Sequence, residues 1–202
     1  MLANDNKVLT LEEKNEMKKN VEILFRQILR EFNFDVDIDQ QIKDTPKRWT
    51  KMMVDELLSG CYTEEPKLTV FKNTKGCDSM IFIGPIQIKS LCSHHLKSFI
   101  GEAYLGYIAD ENLCGISKLS RIVNWFMRRP QIQEELTKQI ADYIENKLNP
   151  KGCGVFITAQ HLCMSVRGVN EYNSKMKTSE LRGCFRNPEV REEFFNLIKL
   201  NK

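Results

Sequence analysis

Ser98-Phe-Ile-Gly-Glu-Ala-Tyr-Leu-Gly-Tyr-Ile-Ala109 reads as a strand, and Ser117-Lys-Leu-Ser-Arg-Ile-Val-Asn-Trp-Phe126, a few residues on, reads as a helix. In the second stretch Leu119, Ile122, Val123 and Phe126 recur at steps of three and four, one helical face, until Arg129-Pro130 stops the pattern. A further helix carries Ile132, Leu136, Ile140, Tyr143, Ile144 and Leu148 and ends before Asn149-Pro150. Upstream, Leu68-Thr-Val-Phe71 and Met80-Ile-Phe-Ile83 have strand texture. Downstream, 155–169 and 178–185 return to it, and Asn187-Pro188 opens a closing helix through Leu200. Strands joined by short connections favour antiparallel pairing, so the expected class is α+β.

Before residue 60 the texture is helical. Thr10-x-x-Glu13 is a capping box, followed by Met17, Val21, Leu24, Phe25, Ile28, Leu29 and Phe32 on one face, which predicts a helix over 11–32. Asp44-Thr45-Pro46 reads as an N-cap with proline at the first helical position. The helix it opens carries Trp49, Met52, Met53, Leu57 and Leu58 and stops near Gly60. The expected organisation is a helical hairpin over 1–60, able to pack on a neighbouring subunit, and one α+β unit over 61–202.

Composition narrows the class. Of 202 residues 42% are hydrophobic and 28% charged, which excludes collagen-like, coiled-coil and wholly disordered chains. No apolar run approaches the roughly 18–20 residues that span a bilayer. The N-terminal residues lack a secretory pattern, so the expectation is a soluble cytoplasmic protein. A net charge of +3 is too mild to announce nucleic acid or a membrane as partner.

Histidine is scarce and clustered. The three histidines, 94, 95 and 161, each lie within three residues of a cysteine, in Cys92-Ser-His-His95 and His161-Leu-Cys163. The other cysteines, 61, 77, 114, 153 and 184, read as free thiols in a reducing compartment, packing as small hydrophobes. Zinc takes thiolate and imidazole, and a catalytic site keeps three protein ligands plus water. Cys92 and His95 can be presented by one tight turn, while His161 and Cys163, two apart in a strand-like stretch, share a face. The natural division makes Cys92, His95 and Cys163 ligands and leaves His94 and His161 for proton transfer. Two thiolates cancel the charge of the ion, so its water is acidified less and a nearby base becomes useful. A closed structural zinc, or packing alone, are the alternative readings of these clusters.

A basic constellation accompanies them. Ser117-Lys118-x-x-Arg121 opens a helix, Arg167 follows Cys163 by four residues, and Arg48 and Lys51 lie on the early helix. Singly, each reads as a solvated charge, and Gln133-Glu134 as a wet helix face; only proximity to the metal would raise them.

Together, Leu91-Cys-Ser-His-His-Leu96, Gly115-Ile-Ser-Lys-Leu-Ser-Arg121, Arg129-Pro-Gln-Ile-Gln-Glu134 and His161-Leu-Cys-Met-Ser-Val-Arg-Gly168 closely resemble GTP cyclohydrolase I. Thr45-Pro-Lys-Arg48, Asn173-Ser-Lys175, Thr178-Ser179 and Gly183-Cys-Phe-Arg186 extend the likeness over most of residues 10–200. The resemblance implies a tunnelling fold, an antiparallel four-stranded sheet with two helices on one face, preceded by the N-terminal helical pair. It implies pentameric rings stacked into a homodecamer, with active sites between subunits, so that Arg48 and Lys51 serve a neighbour's substrate.

The implied reaction takes GTP and water to formate and 7,8-dihydroneopterin triphosphate, with one zinc per subunit on Cys92, His95 and Cys163 activating the water that attacks C8. His161 then protonates the purine and His94 assists. Gln133 and Glu134 read the guanine edge; Lys118, Arg121, Arg167, Arg48 and Lys51 grip the triphosphate; Ser117 lies near the ribose. The family usually has Cys-Glu-His-His, whereas Ser93 stands here in the glutamate position, and a serine is no general base at neutral pH. Two rival hypotheses follow: a purine or pterin hydrolase that stops at a ring-opened product, and a non-catalytic nucleotide-binding regulatory protein with a structural zinc.

Overall fold

The computed structural model describes residues 1–201, which divide into two compact units, Met1–Glu64 and the chain from Glu65 onward. In the first, α1 (Leu11–Glu31) opens on the expected capping box. Thr10 Oγ1 accepts from Glu13 N at 3.2 Å, and Glu13 Oε2 accepts from Thr10 N at 2.8 Å. The second helix is not uniform: α2 (Thr45–Lys51) passes into a π-helical turn (Met52–Leu57) and then α3 (Ser59–Tyr62). Asp44 begins α2 without a side-chain cap, because its carboxylate pairs with Arg48 at 3.4 Å instead. Phe25 stacks on Trp49, centroids 4.2 Å apart, joining α1 to α2. Leu24, Ile28 and Phe32, expected on the apolar face, are instead exposed.

The second unit runs β1 (Val70–Lys72), β2 (Met80–Cys92), β3 (Ser98–Ile108), β4 (Asn112–Cys114), α4 (Ile116–Met127), β5 (Pro130–Gln131) and α5 (Gln133–Leu148). Then come β6 (Gly152–His161), α6 (Leu162–Ser165), β7 (Met176–Gly183), a 3-10 turn (Cys184–Arg186) and α7 (Pro188–Leu200). The fold is α+β as expected. The main sheet has the order β5-β2-β3-β6-β7, antiparallel throughout except that β5 adds to β2 in parallel through Leu91–Pro130 and Cys92–Gln131. The four-stranded antiparallel sheet thus acquires a two-residue fifth strand, and β1 and β4 pair separately.

One face of the sheet packs on α4 and α5. Ile86, Ile88, Ala103, Leu105, Val155 and Ile157 meet Leu119, Ile122, Val123, Leu136 and Ile140 there, all nearly solvent-free. The opposite face is partly covered by α7, where Tyr104 packs with Phe185, Phe194 and Ile198. The β2–β3 register shifts between Ile83 and Ile86, around Gly84-Pro85. Because side chains alternate with period two, a one-residue slip moves every following residue to the other face. Ile81 and Ile83 face α4 and α5 before the bulge, Ile86 and Ile88 after it. The same slip carries Cys92 onto the helix-covered face.

At Gly101 a Cβ would stand 2.0 Å from Thr158 O, so β3 approaches β6 there as only glycine permits. No helix among the described residues is long and apolar enough to cross a membrane.

Candidate metal centre and active site

Sheet register gathers the histidine and cysteine clusters at one end of the main sheet. Leu91 pairs with Ser98, and Phe99 pairs with His161, so the turn after β2 and the end of β6 lie at the same end of the sheet, one strand apart. Cys92 is the last residue of β2. The turn beyond it is closed by Cys92 N donating to Lys97 O and Leu96 N donating to Cys92 O, both at 2.9 Å. Ser93 N donates to Gln131 O at 3.2 Å, tying the turn to β5. Leu96 sits at φ 51°, a strained conformation for a branched side chain, next to His95.

The strand expected to continue to Val169 ends at His161, where the ladder to β3 also ends, and Cys163 lies in the α6 turn. His161 and Cys163 therefore do not share a strand face. The helical turn takes over where β3 offers no further partner, and it brings the Cys163 sulfur to Cys92 and His95.

One donor atom each from Cys92, His95 and Cys163 lies within 4.8 Å of the others. Tetrahedral bonds of about 2.0–2.3 Å hold ligand atoms roughly 3.5 Å apart, so modest contraction would close this set on an ion. The donor chemistry fits too. Burial and the adjacent Cys92 sulfur push the Cys163 thiol above its ordinary range, because two neighbouring thiolates repel; a bound cation removes that penalty. Arg167 Nη1 donates to His95 Nε2 at 2.9 Å, since a guanidinium can only donate; that lone pair is occupied by Arg167 here, so an ion binding at Nε2 would have to displace the guanidinium. His94 Nδ1 stands 3.7 Å from Cys92 Sγ, with its ring in the exposed turn.

His161 has a different setting. Its ring is stacked on Phe99 at 4.8 Å and 11°, and its Nε2 meets Gln133 Oε1 at 3.0 Å. Burial lowers its pKa below the ordinary 6.5, against an opposing pull from the Glu134 carboxylate. Gln133, expected beside Glu134 as a wet face, is wholly buried. Its Nε2 donates to Ile157 O, Met176 O and Thr178 Oγ1 at 3.2, 3.3 and 3.0 Å. An unpaired carboxamide at that depth would cost about 1–3 kcal/mol, and all of this one's polar atoms are engaged. Glu134, the next residue of α5, is exposed.

Ser117, Lys118 and Arg121 occupy the first turns of α4, Ser117 and Arg121 exposed and Lys118 half-buried. Arg48 and Lys51 are exposed on α2 in the first unit. Sequence reading missed Phe99 and Thr178 as neighbours of the site. Only the strand register brings Phe99 to His161, and no local pattern announces it.

The sequence profile of GTP cyclohydrolase I matches residues 21–199. The chain belongs to the GTP cyclohydrolase I family. GTP cyclohydrolase 1 of Sulfurihydrogenibium sp. (strain YO3AOP1) is 46% identical over 162 residues, covering 80% of this chain and 84% of that protein. GTP cyclohydrolase 1 of Alkalilimnicola ehrlichii is 40% identical over 194 residues, covering 91% and 99%. Among solved structures, the archaeosine synthase QueF-Like in its apo form aligns with 52% of this chain and 94% of that one, at 16% identity and a TM-score of 0.42. As a GTP cyclohydrolase I family member, the chain is an enzyme, and Cys92, His95 and Cys163 form its candidate metal site.

Proposed function

We propose that this family member hydrolyses GTP at C8 of the guanine, releasing formate and forming 7,8-dihydroneopterin triphosphate, with one zinc ion held by Cys92, His95 and Cys163. The observation that carries the reading is the convergence of two sulfurs and one imidazole within 4.8 Å, in a chain matched to this family over residues 21–199. Zinc in that site would supply Lewis-acid activation of water.

The chain's own residues do the rest. His161, half-buried beside the donor set, exchanges a proton with the purine ring nitrogen as the ring opens; its lowered pKa keeps it neutral, and so able to accept, at neutral pH. His94, in the exposed turn, serves the later transfers that reclose the ring. Glu134 accepts from the N–H groups of the guanine edge, a pairing adenine cannot offer, so a carboxylate there rejects the wrong base. Gln133 is left out of that edge, since its amide is already spent on Ile157, Met176, Thr178 and His161. Lys118, Arg121 and Arg167 meet the triphosphate, Arg48 and Lys51 serve the triphosphate of a neighbouring subunit's substrate, and Ser117 lies near the ribose.

Assembly into a homodecamer of two pentamers is part of the same reading. β7 is an edge strand of the main sheet, and ring closure would pair such an edge. The exposed Leu24, Ile28 and Phe32 on α1 are suited to cover by another copy.

The test is to incubate zinc-loaded protein with GTP and follow formate and the pterin together. Equal yields of formate and dihydroneopterin triphosphate are expected, Ser93 being then a tolerated substitution. Formate without the pterin would replace this reading with a hydrolase that stops after ring opening. Neither product would leave a nucleotide-binding protein.

A further inference from the structure

The environment of Gln133 determines more than its own burial. Around its amide nitrogen stand two backbone carbonyls, Ile157 O at 3.2 Å and Met176 O at 3.3 Å, which can only accept. The opposite amide orientation would set oxygen against both carbonyls, so Nε2 faces them and Oε1 faces His161. The hydroxyls fix the same orientation. Thr137 Oγ1 donates to Gln133 O at 2.7 Å, leaving its lone pair to the Thr178 hydroxyl at 2.6 Å, and Thr178 Oγ1 accepts from Gln133 Nε2 at 3.0 Å. The circuit Gln133 amide, Thr178, Thr137, Gln133 carbonyl thus closes with one consistent set of donors.

Gln133 Oε1 has no proton to give. The contact of 3.0 Å to His161 Nε2 is therefore a hydrogen bond only when Nε2 carries the proton. Stacking on Phe99 at 11° holds the ring plane, so the imidazole is fixed in both plane and edge.

We propose that Gln133 is a positioning residue that holds a proton on His161 Nε2, making Nδ1 the nitrogen that exchanges protons with the substrate. The inference rests on the reading of His161 as the proton-transfer group and adds direction to it. Neutral His161 can only accept at Nδ1, and it donates there only after collecting a proton in an earlier step. The Nε2 proton stays on Gln133 throughout, so one proton enters and leaves by the same atom.

The chain has only three histidines, so selective 15N-histidine labelling gives three imidazoles to resolve. Solid-state 15N spectra of the zinc-loaded wild-type protein, with His161→Gln to assign the signal, are expected to show His161 with Nε2 protonated and Nδ1 bare. The reverse tautomer, or an averaged pair, overturns the proposal. Gln133→Met, assayed with GTP, is expected to lose kcat by about 10- to 100-fold while KM moves by less than about threefold. A raised KM at unchanged kcat would mean that Gln133 touches the substrate, and would overturn it as well. The spectra need no turnover and no folded variant of Gln133. A wild-type protein that shows the expected tautomer but makes no formate therefore refutes the reaction and upholds the tautomer.

Discussion

The turn after β2 and the end of β6 lie at the same end of the sheet and hold all three histidines, yet the fold treats them differently. His161 is half-buried, stacked on Phe99 and bonded by a wholly buried glutamine. His94 and His95 are exposed on a five-residue turn, with a thiol and a guanidinium as their neighbours. The difference teaches a division of labour. On the proposed roles, His161, the group that moves the proton at ring opening, has its edge set in advance by the fold, whereas His95, the ligand on the turn, would take its final geometry from the ion it binds.

Three substitutions sharpen that contrast. The larger effect is expected from His161→Ala, which should keep zinc and lose about 10²- to 10⁴-fold in kcat, the usual contribution of a general acid or base. The same change at His94 should cost less, because that ring is exposed and its 3.7 Å contact to the Cys92 sulfur is looser than the buried amide bond on His161. Single-turnover kinetics with zinc analysis on both variants measures the contrast; equal losses, or zinc lost from the His161 variant, would break it. A smaller effect is expected at the neighbouring α5 residue, Glu134, exposed where Gln133 is buried. Glu134→Gln should lower kcat/KM for GTP by about 10- to 100-fold with stability little changed. Competition between GTP and other nucleoside triphosphates reads it, and unchanged guanine preference would remove Glu134 from the edge.

Much of this was legible in the sequence, for physical reasons that can be named. The capping box at Thr10 and Glu13 is local chemistry, and so is the three- and four-step spacing of Leu119, Ile122, Val123 and Phe126; both survive intact in the fold. The pairing of scarce histidines with cysteines pointed to Cys92, His95 and Cys163, which the fold does bring together. What failed depends on partners distant in the chain. The strand through Cys163 ends early because β3 stops offering hydrogen bonds at Phe99. The face on which Cys92 emerges is set by a register shift some eight residues before it. Gln133 looks like any polar residue at a helix start, and only the meeting of α5 with β6 and β7 makes it a buried support for His161.

The most direct test of the account is zinc stoichiometry measured alongside formate release. It compares wild-type protein, chelator-stripped protein and Cys163→Ala. The account predicts about one zinc per wild-type chain, formate release that stops on stripping and returns with added zinc, and loss of both metal and formate in Cys163→Ala. Full formate release from stripped protein, or a Cys163→Ala variant that keeps its zinc, would contradict it.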